Sequence, residues 1–532
     1  MRRALACAAL ALLGCGARTV VIVGVSGVST GVDALTVHPS LDGRAAMSDV
    51  RVVGDLGTFS LEVPDGTLGT LHLEVEGLAG TRVALRGATD VTLAGPGTFH
   101  AALALAAPRL PAPAWHTFLG GTGDEAFTGV AAAPDGGVYV IGNAAAEWGQ
   151  PLRGYAGGSG DAFVARLDAS GSLVWHTFLG GGGYDWGETL MVASGGELYV
   201  AGHSFDTWGT PIRRHQPKSL EDQFLARLEP DGTLTWNTFL GGDGQDYANA
   251  LADGGADGVY LAGRTFGAPW GSPVESFSGG PNDASLCLVN RTGDLVWNTF
   301  VGGVVGNTAT ALMPAPGGGV VVVGDSGVTW GTPRRAMTES AGMNDAYAAH
   351  LDNRANVVWN TFLGGMGADL AAAVARDATG FTTVVGSSSG SWAIPVRAFA
   401  STGPSALAVR LDATGNLLWN TFLGAGTNKA LGVAMIGGDT ILAGLSSAPW
   451  AESAPGVVTD GIDIFVARLD PGGALLDHAF FGGHGDEANV KLGAGPNGEV
   501  FVASTASSSF GVPVRAYAGG TDLLVIKLPA PR

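Results

Sequence analysis

The stretch WHTFLG at residues 175–180 decides the fold, because the same phrase returns along the chain about every sixty residues. Its copies begin at Trp115, Trp175, Trp236, Trp297, Trp359 and Trp419, and a degenerate copy begins at Asp477. A second phrase, DAFVARLD at residues 161–168, also recurs in register with the first. Self-similarity at a fixed period of this length indicates a repeat architecture.

Each repeat predicts four short strands, which we label A to D. In the first repeat they cover residues 126–133, 137–142, 162–167 and 173–179, separated by turns rich in Asp, Ser and Gly. No segment between them has the 3.6-residue period of a helix. Four antiparallel strands repeated seven times predict an all-β fold, a seven-bladed β-propeller over residues 115–532.

The phase of the repeats predicts how the propeller closes. The repeat region begins with a D strand, Trp115–Leu119, and ends with a C strand, Leu523–Leu528. The last blade therefore lacks a D strand of its own, and the first segment can supply it. Closure of this kind leaves no exposed edge between the first and last blades.

The repeats resemble the SBBP-type β-propeller repeats of bacterial surface and secreted proteins. The matching phrases are DAFVARLD, the Gly-containing turn, WNTFLGG and the strand GVYVxG, and they cover about residues 115–528. The sixth repeat departs from the pattern at Ala425, and the seventh lacks the Trp. The resemblance implies an architecture and brings no catalytic residues with it.

The N-terminal region predicts export and lipid attachment. Residues 1–14 combine Arg2 and Arg3 with a ten-residue apolar run, and Cys15 follows Leu12-Leu13-Gly14. This resembles a bacterial lipoprotein signal peptide, which implies that Cys15 carries lipid, including palmitate; an ordinary secretory signal is the alternative. Cys7 is removed with the signal and Cys15 carries the lipid, so Cys287 is the remaining free cysteine, and it sits where other repeats carry small core residues.

A small domain separates this N-terminus from the repeats. Residues 15–108 contain the lipidated N-terminus and a predicted immunoglobulin-like β-sandwich, and residues 109–114 form a Pro-rich linker. Short strands separated by Gly-rich turns support that domain. We predict them at residues 19–25, 50–53, 58–63, 71–75, 82–86, 91–94 and 98–105.

Composition narrows the class of function. The 532 residues carry a net charge of −19, which argues against a nucleic-acid-binding protein. Patterns of the form GxSxG occur at Gly27 and Gly386, but neither lies between a strand and a helix, as a nucleophile elbow requires. We therefore predict a protein that is not an enzyme and that has no cofactor and no bound metal.

The long B–C loops form the predicted binding face, because long loops on a rigid scaffold commonly carry function. An aromatic residue recurs in these loops, at Trp148, Trp208, Trp270, Trp330, Trp392, Trp450 and Phe510. Positive charge is concentrated in two of them, at Arg213, Arg214, Lys218, Arg334 and Arg335. Tryptophans could stack on sugar rings, but the preferred interpretation is packing of each loop against its blade, because the residue repeats once per blade.

A ring of acidic residues precedes the A strands on the same face. Its members are Glu125, Asp185, Asp246, Asp369 and Glu487. They could attract a cation, but the preferred interpretation is structural, with each carboxylate accepting backbone N–H groups in a Gly-rich turn.

These features predict a lipid-anchored protein of the bacterial cell envelope, at the outer membrane, whose propeller binds a glycan or an envelope protein. One alternative is a propeller lyase or hydrolase acting on a polysaccharide, which requires non-repeated polar side chains to converge at the channel mouth. The other is a structural spacer, in which the loop tryptophans are buried.

Overall fold

The computed structural model describes residues 19–531, except 27, 29–31, 42–43, 46–47, 54–55, 65–66, 80–81, 105–109, 217, 219, 339–341, 449 and 451–460. The predicted signal peptide and Cys15 therefore lie outside the described residues. The chain divides into two compact units, with the boundary between Arg109 and Leu110. Among the described residues, no helix is long and apolar enough to cross a membrane.

The N-terminal unit is built from two β-sheets that share one core. Its strands are β1 (Thr19–Ser26), β2 (Ala34–Leu41), β3 (Arg44–Ala45), β4 (Val50–Val53), β5 (Thr58–Val63), β6 (Gly69–Ala79), β7 (Arg82–Leu93) and β8 (Thr98–Ala104). One sheet has the order β5-β1-β8, with β1 and β8 parallel. The other has the order β3-β2-β6-β7, and β4 pairs with β2. Buried Val21, Leu35, Phe59 and Leu73 come from both sheets, which makes the unit a β-sandwich.

The second unit begins with β9 (Trp115–Leu119) and continues as repeated four-stranded sheets. Sheet 1 contains β10 (Glu125–Ala132), β11 (Val138–Ala144), β12 (Asp161–Leu167) and β13 (Leu173–Leu179). Sheet 2 contains β14 (Asp185–Val192), β15 (Leu198–Ser204), β16 (Asp222–Leu228) and β17 (Leu234–Leu240). Sheet 3 contains β18 (Gln245–Asp253), β19 (Val259–Phe266), β20 (Asn282–Val289) and β21 (Leu295–Val301). Sheets 4 and 5 are β22 (Asn307–Pro314), β23 (Val320–Ser326), β24 (Asp345–Leu351) and β25 (Val357–Leu363); and β26 (Asp369–Arg376), β27 (Thr382–Ser388), β28 (Ser405–Leu411) and β29 (Leu417–Leu423). Sheets 6 and 7 are β30 (Asn428–Ile436), β31 (Asp439–Ser446), β32 (Asp463–Leu469) and β33 (Leu475–Phe481); and β34 (Glu487–Ala494), β35 (Val500–Ala506), β36 (Asp522–Leu528) and β9. A single 3-10 turn, Gly255–Asp257, interrupts the strands of the described residues.

The sheets follow one another in a closed ring. The first strand of each sheet contacts the first strand of the next, and β34 contacts β10. The predicted closure is present, because β36 pairs antiparallel with β9 in the register Leu523↔Leu119 and Leu524↔Phe118. The expectation of an all-β fold made of four-stranded antiparallel sheets, like a β-propeller, is confirmed. The stretch after Arg109 is tied to this second unit, since Ala114 N donates to Lys527 O over 2.8 Å.

The repeated tryptophan of strand D explains how neighbouring sheets join. The Trp175 indole Nε1 donates to Pro230 O in the C–D turn of the next sheet, over 3.2 Å. Its ring covers Gly232, where a Cβ would come within 3.0 Å of the indole and where φ is +89°. Glycine is therefore required at this turn both by its backbone conformation and by the overlying ring. Cys287 is buried in the core between sheets 2 and 3.

Candidate ligand-binding cavity

The loop tryptophans lie inside the ring unit and do not present their rings on its surface. Trp148, Trp208, Trp270, Trp330 and Trp392 are each less than a tenth exposed, and Trp450 is 3% exposed. Their rings pack edge-to-face on aromatic residues of strands C and D, as Trp208 does on Phe224 and Phe239. The exposures favour the packing interpretation of these residues.

A hydrogen bond from strand D holds the loop in place in sheets 1 to 5 and in sheet 7. Asn237 Nδ2 donates to Trp208 O over 2.9 Å, and His176 Nε2 lies 2.7 Å from Trp148 O. The glycine that follows the tryptophan has a left-handed backbone, with φ of +66° at Gly209. The repeat of Asn or His two residues before the Phe of strand D is thus explained by loop anchoring.

The positive charges divide into two groups. Arg213 Nη2 donates to Gly241 O over 2.8 Å, and Arg335 Nη1 donates to Phe362 O over 3.0 Å. Arg153 and Arg515 make the equivalent bonds in their own loops, so this arginine is a repeated structural residue. Arg213 and Arg335, which the sequence placed in the charged patch, therefore make structural contacts within their own repeats. The remaining three residues of the patch are exposed: Arg214, Lys218 and Arg334.

The acidic ring also has structural contacts. Asp185 Oδ2 accepts the Gly181 N–H over 2.8 Å, and Glu125, Asp246 and Asp369 accept the N–H of the glycine four residues upstream in the same way. Burial raises the pKa of Asp246 to about 7 and that of Glu487 to about 8. These contacts favour the turn-stabilising interpretation. Among the described residues, no group of three or more His, Cys, Asp or Glu side chains could hold a metal ion.

A cavity of about 800 Å³ lies at the centre of the ring. All seven A strands contribute to it, from β10 to β34. The residues that face it differ from sheet to sheet, although the scaffold repeats. The position after the acidic ring carries Ala126, Trp186, Tyr247, Thr308, Leu370, Lys429 and Ala488. Variation at a fixed position of a repeat cannot be explained by the needs of the scaffold.

Sheets 2 and 3 bring aromatic and ionisable side chains together in this cavity. Tyr247 donates its hydroxyl to Glu221 Oε2, and Gln245 Nε2 donates to the same oxygen over 2.9 Å. Glu221 comes just before β16, whereas Gln245 and Tyr247 begin β18, so the bonds connect the two sheets. Tyr184 and Trp186 stack with ring centroids 5.6 Å apart and an interplanar angle of 29°.

His203 lies between two carboxylates. Its Nδ1 is 3.9 Å from Glu188 Oε1, and its Nε2 is 3.9 Å from Glu221 Oε1. The imidazole is buried, and within the described part of the chain Nδ1 has no hydrogen-bond partner. Burial, with a smaller effect from Arg264, lowers the pKa of His203 to about 3, so the ring is neutral near pH 7.

Arg264 and Lys491 in the cavity have a carboxyl group nearby, but neither makes a close ion pair with another described residue. Arg264 stacks over the Tyr247 ring, with Cζ 5.1 Å from the centroid, and its Nε is buried without a partner among the described residues. Burial raises the pKa of Glu188 to about 7, while Lys491 and Arg264 act against that rise. Burial lowers the pKa of Lys491, and Glu188 opposes this shift. The cavity therefore holds polar groups whose hydrogen-bonding capacity is unused.

A local irregularity in β34 places Lys491 in the cavity. Every A strand has a bulge near its start, but in β34 the bulge includes Asn489, whose φ is +57°. Asn489 is exposed and Val490 is buried. The equivalents of Lys491 in the other sheets are the small residues Gly129, Thr189, Ala250, Ala311, Ala373 and Gly432. A left-handed backbone at a non-glycine residue is the kind of strain found at functional sites.

None of these cavity residues was predicted as a site residue from the sequence. Most of the predicted site residues recur from repeat to repeat, whereas the cavity is built from positions that differ between the sheets. The signal was present in the alignment of the repeats with one another. At the strand-B position that pairs with the residue after the acidic ring, for example, His203 and Arg264 replace Asn143, Ser387 and Thr505.

Comparisons with known proteins give limited similarity. No family model matches the chain. The Caulobacter vibrioides regulatory protein FlaEY is 28% identical over 142 residues, which is 25% of this chain and 14% of that protein. The chain thus spans about one seventh of the length of this curated relative.

Similar solved structures have low sequence identity. Hydrazine synthase of Kuenenia stuttgartiensis is 12% identical, with a TM-score of 0.43 over 75% of this chain and 93% of that chain. The extracellular domain of a hybrid two-component system of B. thetaiotaomicron is 12% identical, with a TM-score of 0.39 over 91% and 56% of the two chains. Trypanosoma rangeli sialidase is 10% identical, with a TM-score of 0.32 over 64% and 54%. Similarity at this level does not assign a function to this chain.

Proposed function

We propose that this chain is a seven-bladed β-propeller of the SBBP type that binds a glycan in its central cavity. One observation supports the proposal above the others: unlike residues from sheets 2 and 3 converge on a cavity of about 800 Å³. That volume lies within the range of about 300–1,000 Å³ that ligand sites usually have. The proposed site is therefore the channel mouth, and not the surface of the B–C loops.

The chemistry of the cavity suits a sugar. A sugar ring has an apolar C–H face that can pack on an aromatic ring, and Tyr184 and Trp186 offer a stacked aromatic pair. Its hydroxyl groups both donate and accept hydrogen bonds. Neutral His203 can do either, and Arg264 Nε and Lys491 can donate. A few polar groups placed in an aromatic cavity fix the orientation of a ligand.

The cell envelope is the proposed location. This part of the proposal rests on the resemblance of residues 1–15 to a lipoprotein signal peptide, with lipid on Cys15. The propeller would then be held at the outer membrane and meet glycans there, or an envelope protein that carries them.

A binding experiment tests the central claim. The chain from residue 19 onward is titrated calorimetrically with a panel of neutral and uronic-acid oligosaccharides. Trp186→Ala is expected to weaken binding of the best ligand at least about tenfold, because it removes a stacking surface. Leu370→Ala is the matched control, since Leu370 occupies the same position in sheet 5. Equal losses of affinity in the two variants would contradict the proposal. So would a parent protein that binds no oligosaccharide of the panel.

A second candidate function is hydrolysis of the bound glycan, favoured by the carboxyl groups on the two sides of His203. Glu188, with its raised pKa, can protonate the departing glycosidic oxygen, and Glu221 can take the proton from the attacking water. The same panel is examined for new reducing ends. Cleavage that Glu188→Gln abolishes while binding persists would establish this second function. Binding without cleavage in the parent chain would leave the protein a glycan-binding module.

A further inference from the structure

We infer that the ligand is a chain of sugars that extends from the central cavity into a second cavity beside it. This inference rests on the proposed function and names the ligand class more closely. The second cavity has a volume of about 290 Å³ and lies where sheets 7, 1 and 2 meet. Its lining includes Glu125, Asn143, Ser159, Thr505 and Thr521.

The two cavities adjoin each other and share three lining residues, Tyr184, Trp186 and Asn489. The stacked aromatic pair therefore stands between them, and a ring lying on it would reach both spaces. Asn489 faces the same junction from β34, with its left-handed backbone and exposed position. Its side chain can bond a hydroxyl group of a ligand passing between the cavities.

Small residues create the second cavity. At the position where sheets 2 to 6 carry larger side chains, from Trp186 to Lys429, sheets 1 and 7 carry Ala126 and Ala488. Both alanines line the second cavity. The opening thus occurs at one place in the ring, next to the aromatic pair, and it gives an extended ligand one direction to leave the centre.

The polar groups of the second cavity are mostly paired within the protein. Thr505 Oγ1 accepts the Phe127 N–H over 2.9 Å, and Asn143 exchanges hydrogen bonds with the backbone of Gly187. Such a space is suited to an additional sugar ring held by packing, while the central cavity supplies the stronger polar contacts. The second cavity is expected to increase affinity without setting the identity of the sugar.

The test uses oligosaccharides of one to four units from the α-1,4-linked and β-1,4-linked hexose and hexuronate series. Affinity is expected to rise about tenfold at the length that first fills the second cavity. Ala145→Arg is expected to abolish this gain, because Ala145 is exposed and lines only the second cavity. The affinity of Ala145→Arg for the shortest ligand is expected to stay within about twofold of the parent's affinity. Ala146→Arg is the control, since Ala146 is the exposed neighbour outside both linings.

A second variant, Ala488→Leu, fills the same space from β34, so the test does not depend on one substitution. Melting curves identify any variant that fails to fold. If a short ligand binds and longer ones bind no better, or if Ala145→Arg and Ala488→Leu both keep the gain, the inference is overturned and the proposed function stands. If no oligosaccharide binds at all, the proposed function itself fails.

Discussion

At the scale of single residues, the acidic ring places buried carboxyl groups beside the backbone N–H groups of Gly-rich turns. Burial, with Asp463 nearby, raises the pKa of Glu487 to about 8 from an ordinary 4.5. A carboxyl group whose pKa is higher in the folded state favours folding while it is protonated. Its contribution is complete below about pH 4.5 and is lost as the pH rises through 8. The protein thus carries a stability cost at this position under alkaline conditions.

We therefore expect Glu487→Gln to stabilise the protein where the parent carboxyl group is ionised. At pH 9 the melting temperature should rise by about 1 °C for each kcal/mol of removed penalty, because the unit Leu110–Pro531 is larger than the domains in which 1 kcal/mol gives about 2–4 °C. At pH 4.5 the two proteins should melt alike. Differential scanning calorimetry across this range measures the effect, and Asp257→Asn at an exposed turn is the control. A stabilisation that did not depend on pH would show that the charge is not its cause.

At the scale of elements, the B–C loops are held by one recurring bond from strand D. Asn237 is 1% exposed and satisfies the carbonyl of Trp208. Asn237→Ala should lower the free energy of unfolding by about 1–3 kcal/mol, because a buried carbonyl loses its donor. Asn237→His should recover most of the loss, since His176 makes the same bond in sheet 1. Urea unfolding followed by fluorescence measures both, and equal losses in the two variants would rule out the bond as the anchor.

The same scale shows how much of the fold could be predicted from the sequence. In the ring unit, the strands predicted for the first repeat agree with β10 to β13 within two residues, because seven copies average out local irregularities. In the N-terminal unit there is a single copy. There β2 was not predicted, since Pro39 interrupts its pattern. The strands predicted at residues 82–86 and 91–94 form one strand, β7.

Repetition made the strands predictable, but it did not help to predict the candidate site. Repetition identified Trp208, and a local concentration of positive charge identified Arg213; the contacts of both side chains are structural. Glu188 and His203 were not identified, because the equivalent positions in the other sheets carry different residues. The contact between a carboxylate and an imidazole on different strands depends on how the folded sheets are placed in space. It cannot be derived from a period along the chain.

At the scale of the whole molecule, the ring depends on a strand from its own beginning. Phe118 and Leu119 of β9 are fully buried, Phe118 among Leu524, Ile526 and other core residues of sheet 7. Deleting residues 110–119 removes these side chains and exposes the edge of β36, so the free energy of unfolding should fall by at least about 5 kcal/mol.

A peptide of residues 110–120 added to the deleted protein should restore the melting temperature as its concentration rises, since it binds the folded state alone. A peptide with Phe118→Ser is the control, because it keeps the backbone and lacks the largest buried side chain. Thermal melts of the deletion variant with each peptide measure this. If the deletion left the melting temperature unchanged, the ring would owe its stability to contacts between neighbouring first strands, and β9 would merely cover an edge.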